Sequence, residues 1–248
     1  MTIKRQIKRL VENLTNTHIY RTIPRGIDVF QDITNHLPMY NVDTVFDVGA
    51  NIGQSVEKFL NWYPKSQIYC IEPVEETFHQ LQENYKANDN IHCFQLAFGS
   101  TKGKGQMVLQ GPSDRFFLLN PEKEVFLNSG SNLEEVYIET LDEFCSDRKI
   151  SHISYLKIDT EGGDLEVLKG AENKLSEHTI DLVQVEAGMN FRNEWHVAFE
   201  VLKEYLESKK YFIFGIYQQR NEWPTKEPHL RWTNPVFISE RMIKANKE

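Results

Sequence analysis

The chain has 248 residues and a mass of 29.1 kDa, with 40% hydrophobic and 26% charged residues. This composition excludes wholesale disorder, a collagen-like repeat and a long coiled coil. The net charge of −8 provides no general basic surface for phosphate backbones, so nucleic acid is not expected as the main partner.

Cysteine usage and hydropathy predict a cytoplasmic protein. The three cysteines lie far apart and form no metal-binding spacing, which indicates a reducing compartment. No apolar run reaches the roughly 20 residues that a transmembrane helix needs, and the amino terminus lacks an apolar signal core.

The first predicted element is an amphipathic helix. Apolar residues recur at helical spacing between positions 3 and 14, with four basic residues on the other side: Lys4, Arg5, Lys8 and Arg9. This basic face is either simply solvated, or it contacts an anionic membrane or an acidic partner. A second short helix is predicted over 27–37. We interpret residues 1–40 as a helical extension and 41–248 as the main globular domain.

Strand and helix patterns alternate from position 44 onward. Short apolar runs predict strands over Thr44–Val48, Gln67–Ile71, Ile91–Ala97, Tyr155–Ile158, Leu182–Val185, Tyr211–Tyr217 and Pro235–Ile238. Helices are predicted between them over Gln54–Tyr63, Glu75–Asn88, Asp164–Leu175 and Trp195–Ser208. This alternation predicts an α/β fold, a doubly wound parallel sheet with helices on both faces.

Residues 99–145 interrupt the alternation. Two stretches with a period of two, Gln106–Gln110 and Glu135–Thr140, predict an inserted antiparallel hairpin without a good helix.

The turn after the first strand is the first candidate site. It reads Asp47-Val48-Gly49-Ala50-Asn51-Ile52-Gly53. Its two glycines allow a tight bend and a close approach to a ligand, while the start of the next helix offers free N–H groups. Ligands of open parallel sheets lie beyond the carboxyl ends of the strands, where this turn is expected.

An acidic residue strengthens the interpretation of this turn as a cofactor site. Glu72 ends the second strand 19 residues after Gly53, close to the spacing at which a carboxylate meets ribose hydroxyls. Asn51 and Gln54 occupy positions where a dinucleotide-binding turn would need glycines, which disfavours NAD. S-adenosylmethionine needs a ribose site without a diphosphate cradle, and its amino and carboxylate groups suit Asp47, Asn51 and the backbone of the turn.

Four ordered motifs carry a family resemblance: VFDVGANIGQS, IYCIEPVEETFHQL, IHCFQLAFGS and YLKIDTEGGDLEVLKGA. Together they resemble the FkbM-type family of S-adenosylmethionine-dependent methyltransferases, from about position 25 to about position 217. The resemblance implies a class I methyltransferase sheet of seven strands, the last one antiparallel. It also implies transfer of the sulfonium methyl group to a hydroxyl oxygen.

The resemblance also implies roles for individual residues. The first cofactor motif is formed by Asp47, Gly49, Ala50, Asn51 and Gly53. Glu72 and Pro73 form the ribose motif, and Ala97 and Phe98 lie near the adenine, where Phe98 either stacks on the base or belongs to the core. Asp159 and Glu161 face the transferring methyl group.

Carboxylates crowd the end of the fourth strand. Asp159, Glu161 and Asp164 fall within six residues around a two-glycine turn, and such crowding raises the pKa of a carboxyl group toward that of a useful base. We interpret Asp164 as the N-cap of the next helix. The predicted general base is Asp159 or Glu161, followed by Glu186 at the end of the next strand.

Other roles remain open for these groups. Glu186 is alternatively a hydrogen-bond acceptor for the substrate or a partner of Lys157. Asp159, Glu161 and Glu186 would suit Mg²⁺, but their spacing does not demand it, and no metal is predicted. His196 is interpreted as structural rather than as a base.

The acceptor is expected to contact the loops above the same edge of the sheet, in 99–145, 188–196 and 218–223. These loops mix aromatic, carboxamide and guanidinium groups, which suit a sugar hydroxyl on a glycan or a related small metabolite. The alternatives are a nucleotide-dependent oxidoreductase or epimerase on a similar sheet, and a noncatalytic cofactor-binding protein.

Overall fold

The structure of the protein is a computed structural model that describes residues 3–20, 22–109, 111, 113, 116–119 and 132–247. The helices in these ranges are α1 (Ile3–Thr15), α2 (Val29–His36), α3 (Gln54–Trp62), α4 (Glu75–Tyr85), α5 (Leu141–Asp147), α6 (Asp164–Lys169), α7 (Glu172–Ser176), α8 (Phe199–Ser208) and α9 (Glu240–Ala245). The strands are β1 (Thr44–Val48), β2 (Gln67–Ile71), β3 (Ile91–Phe94), β4 (Ala97–Phe98), β5 (Gly103–Leu109), β6 (Phe117–Leu118), β7 (Asn132–Glu139), β8 (Ile153–Ile158), β9 (Ile180–Gln184), β10 (Ala187–Gly188), β11 (Tyr211–Glu222) and β12 (Glu227–Ser239).

The main sheet has the order β3-β2-β1-β8-β9-β12-β11. Strands β3, β2, β1, β8 and β9 are parallel, whereas β12 pairs antiparallel with both β9 and β11. The predicted α/β sheet with an antiparallel last strand is therefore confirmed, but the described residues form eight strands in this sheet rather than seven, because the short β10 also pairs with β12. The order reverses beside β1, so the carboxyl ends of β1 and β8 meet where a ligand is expected.

A smaller sheet of order β4-β7-β5-β6 stands beside this edge. The antiparallel pairing of β5 with β7 confirms the predicted hairpin insertion. The predicted strand Ile91–Ala97 is wrong at its end, because β3 stops at Phe94 and Ala97 pairs with β7 of the smaller sheet. Gln110, the last residue of the predicted stretch Gln106–Gln110, lies outside the described residues.

The expectation of no helix in 99–145 is also wrong, because α5 begins there at Leu141. Thr140 caps this helix by accepting a hydrogen bond from Glu143 N at 3.2 Å. Leu141, Phe144 and Cys145 are buried in the core. Seven residues are too short to show helical periodicity clearly in the sequence.

Apolar clusters cover both faces of the main sheet. One contains Phe46, Leu156 and Phe237, and the other contains Val45, Tyr155 and Phe214. Phe30 of α2 belongs to the second cluster and packs edge-on against Phe59 with a centroid distance of 5.4 Å. The α2 part of the predicted extension is thus packed on the sheet, and the boundary at residue 40 stays a prediction.

Helix α1 differs from α2 because its apolar side chains are exposed. Ile7, Leu10 and Leu14 are 56%, 61% and 77% exposed. Within the described ranges, no helix is long and apolar enough to cross a bilayer.

Candidate active site

The turn after β1 is shaped by close backbone packing. Gly49, Asn51 and Gly53 have positive φ angles of 77°, 49° and 99°. A Cβ atom on Gly49 would lie 1.9 Å from Asp159 O, so the turn after β1 is pressed against the chain that leaves β8. A Cβ atom on Gly53 would lie 2.2 Å from the Tyr85 ring. Gly49 is therefore required by a backbone contact as well as by its φ angle, whereas Gly53 is favoured mainly by its φ angle, because the Tyr85 side chain can shift.

Glu72 connects the end of β2 to this turn. Its Oε2 accepts a hydrogen bond from Asn51 N at 2.9 Å, and its Oε1 accepts from Thr77 Oγ1 at 2.8 Å and Val74 N at 3.1 Å. Burial raises the pKa of the Glu72 carboxyl group, while these three donors act in the opposite direction. The carboxylate is thus held in one orientation at the wall of the cavity described next.

A cavity of about 690 Å³ lies beyond the carboxyl ends of β1, β2 and β8. Ten of the predicted site residues line it: Gly49, Ala50, Asn51, Glu72, Pro73, Ala97, Phe98, Asp159, Glu161 and Glu186. Asp47 and Gly53 are not among the lining residues. The structure therefore brings most of the predicted site together around one space.

Asp47 lies beneath the cavity in a buried ion pair. Its Oδ1 is 2.9 Å from Lys157 Nζ, and the same ammonium lies 3.1 Å from Asp159 Oδ2. Burial opposes the charge on Lys157, but Asp159 and Asp47 outweigh that effect and raise the pKa of its ammonium group. The pKa of Asp47 is raised by burial, against the influence of Lys157. Lys157 thus pairs with two aspartates rather than with Glu186.

The smaller sheet closes the cavity from above. Met107, Phe117, Leu118 and Ile138 line the cavity, and the sequence did not single out Met107, Leu118 or Ile138. Phe98 is 3% exposed and its ring packs edge-on against Phe144 with a centroid distance of 5.2 Å. The ring of Phe98 packs in the core at the wall of the cavity, so its stacking on an adenine stays a prediction, and the hairpin side chains supply further apolar surface.

Asp164 connects the turn after β8 to the segment that follows β9. Its Oδ2 accepts from Thr160 Oγ1 at 2.7 Å, and its Oδ1 accepts from Glu186 N at 2.8 Å. The N-cap of α6 is Gly163, so the prediction that Asp164 caps this helix is wrong. Burial raises the pKa of Asp164 to about 6. Its carboxyl group ties the end of β9 to the turn after β8.

Glu161, Glu186 and His196 form a buried cluster at one end of the cavity. His196 Nε2 lies 3.1 Å from Glu186 Oε2 and 3.9 Å from Glu161 Oε2, and Trp195 Nε1 donates a hydrogen bond to Glu161 Oε2. Burial, with the negative charge of Glu186 as the next cause, raises the pKa of Glu161 to about 8. Burial and the neighbouring Asp159 raise the pKa of Glu186 to about 9. Both carboxyl groups therefore hold their protons to higher pH than an ordinary glutamate does.

Asn193 holds the loop around His196. Its Oδ1 accepts hydrogen bonds from Trp195 N and His196 N, and its Nδ2 donates to Arg231 O at 2.8 Å. Both side-chain polar atoms of Asn193 also lie within hydrogen-bond distance of His196 Nδ1, at 2.9 Å and 3.2 Å. The ligand atoms of Glu161, Glu186 and His196 lie within 4.8 Å of one another, a spacing that could hold a metal ion. The absence of a metal stays a prediction.

The residues around the cavity fit the cofactor that the motifs imply. Ligand pockets typically measure about 300–1,000 Å³, which matches this space. The oriented carboxylate of Glu72 suits a diol, and the apolar hairpin surface suits an adenine. Every backbone N–H group from Gly49 to Gly53 already donates a hydrogen bond within the protein, so the turn offers no cradle of free N–H groups for a diphosphate.

The predicted acceptor loops contribute unequally to this cavity. Phe116, Phe117 and Arg220 line it, whereas residues 120–131 lie outside the described part of the chain. Asn51 Oδ1 also accepts a hydrogen bond from Ser113 Oγ at 3.1 Å, which connects the insertion to the turn after β1.

Comparison with known proteins gives a family match. A family model described as "Methyltransferase FkbM domain" matches residues 47–213. The chain is 25% identical over 149 residues to "2-O-methyltransferase NoeI" of Sinorhizobium fredii, covering 53% of this chain and 58% of that protein. It is 27% identical over 148 residues to "Hexuronic acid methyltransferase AglP" of Haloferax volcanii, covering 60% of this chain and 58% of that protein.

A third relative is matched over more of its length. The chain is 23% identical over 197 residues to "Methyltransferase 1" of Beauveria bassiana, covering 72% of this chain and 75% of that protein. The family match confirms the resemblance that the four sequence motifs indicated.

Proposed function

Because this chain belongs to the FkbM methyltransferase family, whose cofactor is S-adenosylmethionine, we propose that it is an O-methyltransferase acting on a sugar hydroxyl. One observation carries the proposal. A single cavity is lined by the Glu72-supported turn, which suits the cofactor, and by Glu161, a carboxyl group with a pKa raised to about 8, which suits a general base.

The class of acceptor is supported by the relatives. One is named a 2-O-methyltransferase and another a hexuronic acid methyltransferase. The chain spans 58% of the length of each relative, so the acceptor is proposed for this protein and is not taken directly from these relatives. A sugar hydroxyl agrees with the mixture of aromatic and carboxamide side chains in the predicted acceptor loops.

The cofactor contacts follow from the positions of the lining residues. Glu72 would accept hydrogen bonds from the ribose hydroxyls, since its carboxylate is already oriented by Asn51 N and Thr77. Asn51 and the backbone near Gly49 would hold the amino acid end. Asp47 would act indirectly, by holding Lys157 beneath the cavity.

The cofactor supplies an electrophilic methyl group, and the protein must position a hydroxyl oxygen in line with it. Positioning is the larger contribution, up to about 7–11 kcal/mol, whereas a general base typically contributes about 10²–10⁴-fold. Glu161 would take the hydroxyl proton as the new C–O bond forms and the S–CH3 bond breaks, with S-adenosylhomocysteine as the leaving group. Asp159, which is held by Lys157, would orient the hydroxyl group beside it.

The test is calorimetry and methyl transfer with defined ligands. We expect the protein to bind S-adenosylhomocysteine and to ignore NAD, because Asn51 and Gln54 leave no diphosphate cradle. We expect label from methyl-tritiated cofactor to appear in at least one member of a panel of p-nitrophenyl hexosides and hexuronides. NAD binding without S-adenosylhomocysteine binding would instead support the oxidoreductase alternative.

Two isosteric variants separate an enzyme from a noncatalytic cofactor-binding protein. Glu161→Gln should lose about 10²–10⁴-fold in turnover while retaining affinity for S-adenosylhomocysteine. Asp159→Asn serves as the comparison, because a larger loss in that variant would assign the base to Asp159. Undiminished turnover in both variants would contradict the assignment of the base to either residue.

We also propose that the protein is cytoplasmic and that α1 docks on an anionic membrane surface. Residues 1–25 hold six basic residues and one acidic residue, in a chain whose net charge is −8. Ile7, Leu10 and Leu14 share one exposed stripe of α1. An apolar stripe flanked by basic side chains has the chemistry of an interfacial helix.

Vesicle sedimentation tests this docking. The protein should sediment with vesicles containing phosphatidylserine and remain in solution with pure phosphatidylcholine, and Leu14→Glu should abolish sedimentation. Met39→Glu is the matched control, because Met39 is 92% exposed but lies outside α1. If Leu14→Glu and Met39→Glu sediment with the phosphatidylserine vesicles to the same extent, docking through α1 is ruled out.

A further inference from the structure

A second cavity of about 520 Å³ adjoins the first. It lies between the segment 27–30, helix α3, the end of β9 and the middle of β11 and β12. Ser55, Lys157 and Asp159 line both cavities. A transferase with two substrates needs two binding spaces that meet at the reacting atoms, and these cavities meet beside Asp159.

Carboxamide groups dominate one wall of the second cavity. Asn234 Nδ2 donates a hydrogen bond to Gln218 Oε1, and Tyr155 OH donates to Gln184 Oε1 at 2.7 Å. Among the described residues, Asn234 Oδ1, Gln218 Nε2 and Gln184 Nε2 have no hydrogen-bond partner. One acceptor and two donors therefore remain for a ligand.

The opposite wall carries an aromatic ring and a cation. Trp62 is 38% exposed, and Phe30 stacks on it with a centroid distance of 5.9 Å and an interplanar angle of 16°. Lys58 lies one turn earlier on α3 and also lines the cavity. Asp28, the remaining charged group of this wall, accepts from Phe30 N and Gln31 N and so caps α2.

We propose that the second cavity binds the body of the acceptor, a sugar ring packed against Trp62 and hydrogen-bonded by Gln184, Gln218 and Asn234. This rests on the proposed function. The ring would present one hydroxyl across the junction at Asp159 to the cavity that holds the cofactor and Glu161. The three carboxamides would then select among sugars by the orientation of the other hydroxyl groups.

Hydrogen bonds on either side of residues 27–30 fix this segment to the edge strand β11. Arg25 Nη2 donates a hydrogen bond to Phe214 O, and Gly26 N donates to Asp32 Oδ2 at 2.7 Å. Tyr217 OH donates to the same Asp32 oxygen at 3.0 Å. The amino-terminal segment is thus fixed to β11 as one wall of the acceptor space.

The test uses four methyl glycosides as probes: methyl β-glucopyranoside, methyl α-mannopyranoside, methyl α-rhamnopyranoside and methyl β-glucopyranosiduronate. Saturation-transfer NMR is recorded on the full chain saturated with S-adenosylhomocysteine. We expect at least one glycoside to bind. Trp62→Ala and Gln218→Ala should each weaken that binding at least 10-fold while changing affinity for S-adenosylhomocysteine less than twofold.

Phe212→Ala is the matched control, because Phe212 is exposed, lies outside the predicted acceptor loops and lines neither cavity. Gln218→Ala keeps the test valid if Trp62→Ala disturbs folding, since Gln218 is exposed. Binding of none of the four glycosides, or binding unchanged in Gln218→Ala, would overturn the inference. Failure to bind S-adenosylhomocysteine would instead overturn the proposed function.

Discussion

Asn51 N donates a hydrogen bond to Glu72 Oε2 at 2.9 Å, and this contact joins the turn after β1 to the end of β2. The two residues are 21 positions apart in the chain, and parallel pairing of Val48 with Ile71 brings them together. The backbone N–H of Asn51 orients the Glu72 carboxylate, so no basic side chain is needed to hold it. A change in the turn after β1 therefore also changes the position of this carboxylate.

Glu72→Gln is the first prediction that follows from this contact. The carboxamide can present only one acceptor oxygen, so either the Asn51 contact or a ribose contact is lost. We expect affinity for S-adenosylhomocysteine to fall about 10–100-fold, because hydrogen bonds to charged groups contribute about 1.5–3 kcal/mol. Calorimetry measures the change. Glu75→Gln, on the exposed start of α4, should leave affinity unchanged, and an equal loss there would refute the assignment.

Gly49→Ala should destabilise the fold. The added Cβ would lie 1.9 Å from Asp159 O, and φ of 77° is unfavourable for alanine. We expect the free energy of unfolding to fall by about 2 kcal/mol or more, because strain and overpacking combine. Urea denaturation measures this. Gly103→Ala, where nothing lies within 4 Å of the new Cβ, should change stability by less than about 0.5 kcal/mol.

The rate of methyl transfer should rise with pH through about 8, because the raised pKa of Glu161 keeps the base protonated below that value. Asp159→Asn should move the midpoint to lower pH, because the negative charge of Asp159 adds to the effect of burial on the pKa of Glu161. Trp195→Phe should move the midpoint to higher pH, because it removes a hydrogen bond that favours the carboxylate. A pH–rate profile of each variant measures the shifts, and movement of both midpoints in the same direction would exclude Glu161 as the base.

Lys157→Met should be strongly destabilising, because it leaves the buried Asp47 without its counter-charge. Breaking a buried pair typically costs about 3–5 kcal/mol. The double variant Asp47→Asn/Lys157→Met should recover a large part of that loss, and a double-mutant cycle in urea measures the coupling. Lys58→Met, on the exposed face of α3, is the control. Additive losses in the double variant would show that the pair is not coupled.

The sequence by itself determined the alternation of strands and helices from β1 to β3 and the glycine turn after β1. These features are local, since short apolar runs, glycine turns and an acid at a strand end depend on neighbours along the chain. The strand bounds Thr44–Val48 and Gln67–Ile71 agree with the structure for this reason.

Only the tertiary structure decided what each buried polar group does. Asp47 is a partner of Lys157 beneath the cavity, and Asp164 joins two segments rather than capping α6. The raised pKa of Glu161 depends on burial and then on Glu186, which is 25 positions away in the chain. Ionisation in a protein is set by desolvation and by charges that folding brings close, and neither quantity is encoded in a local run of residues.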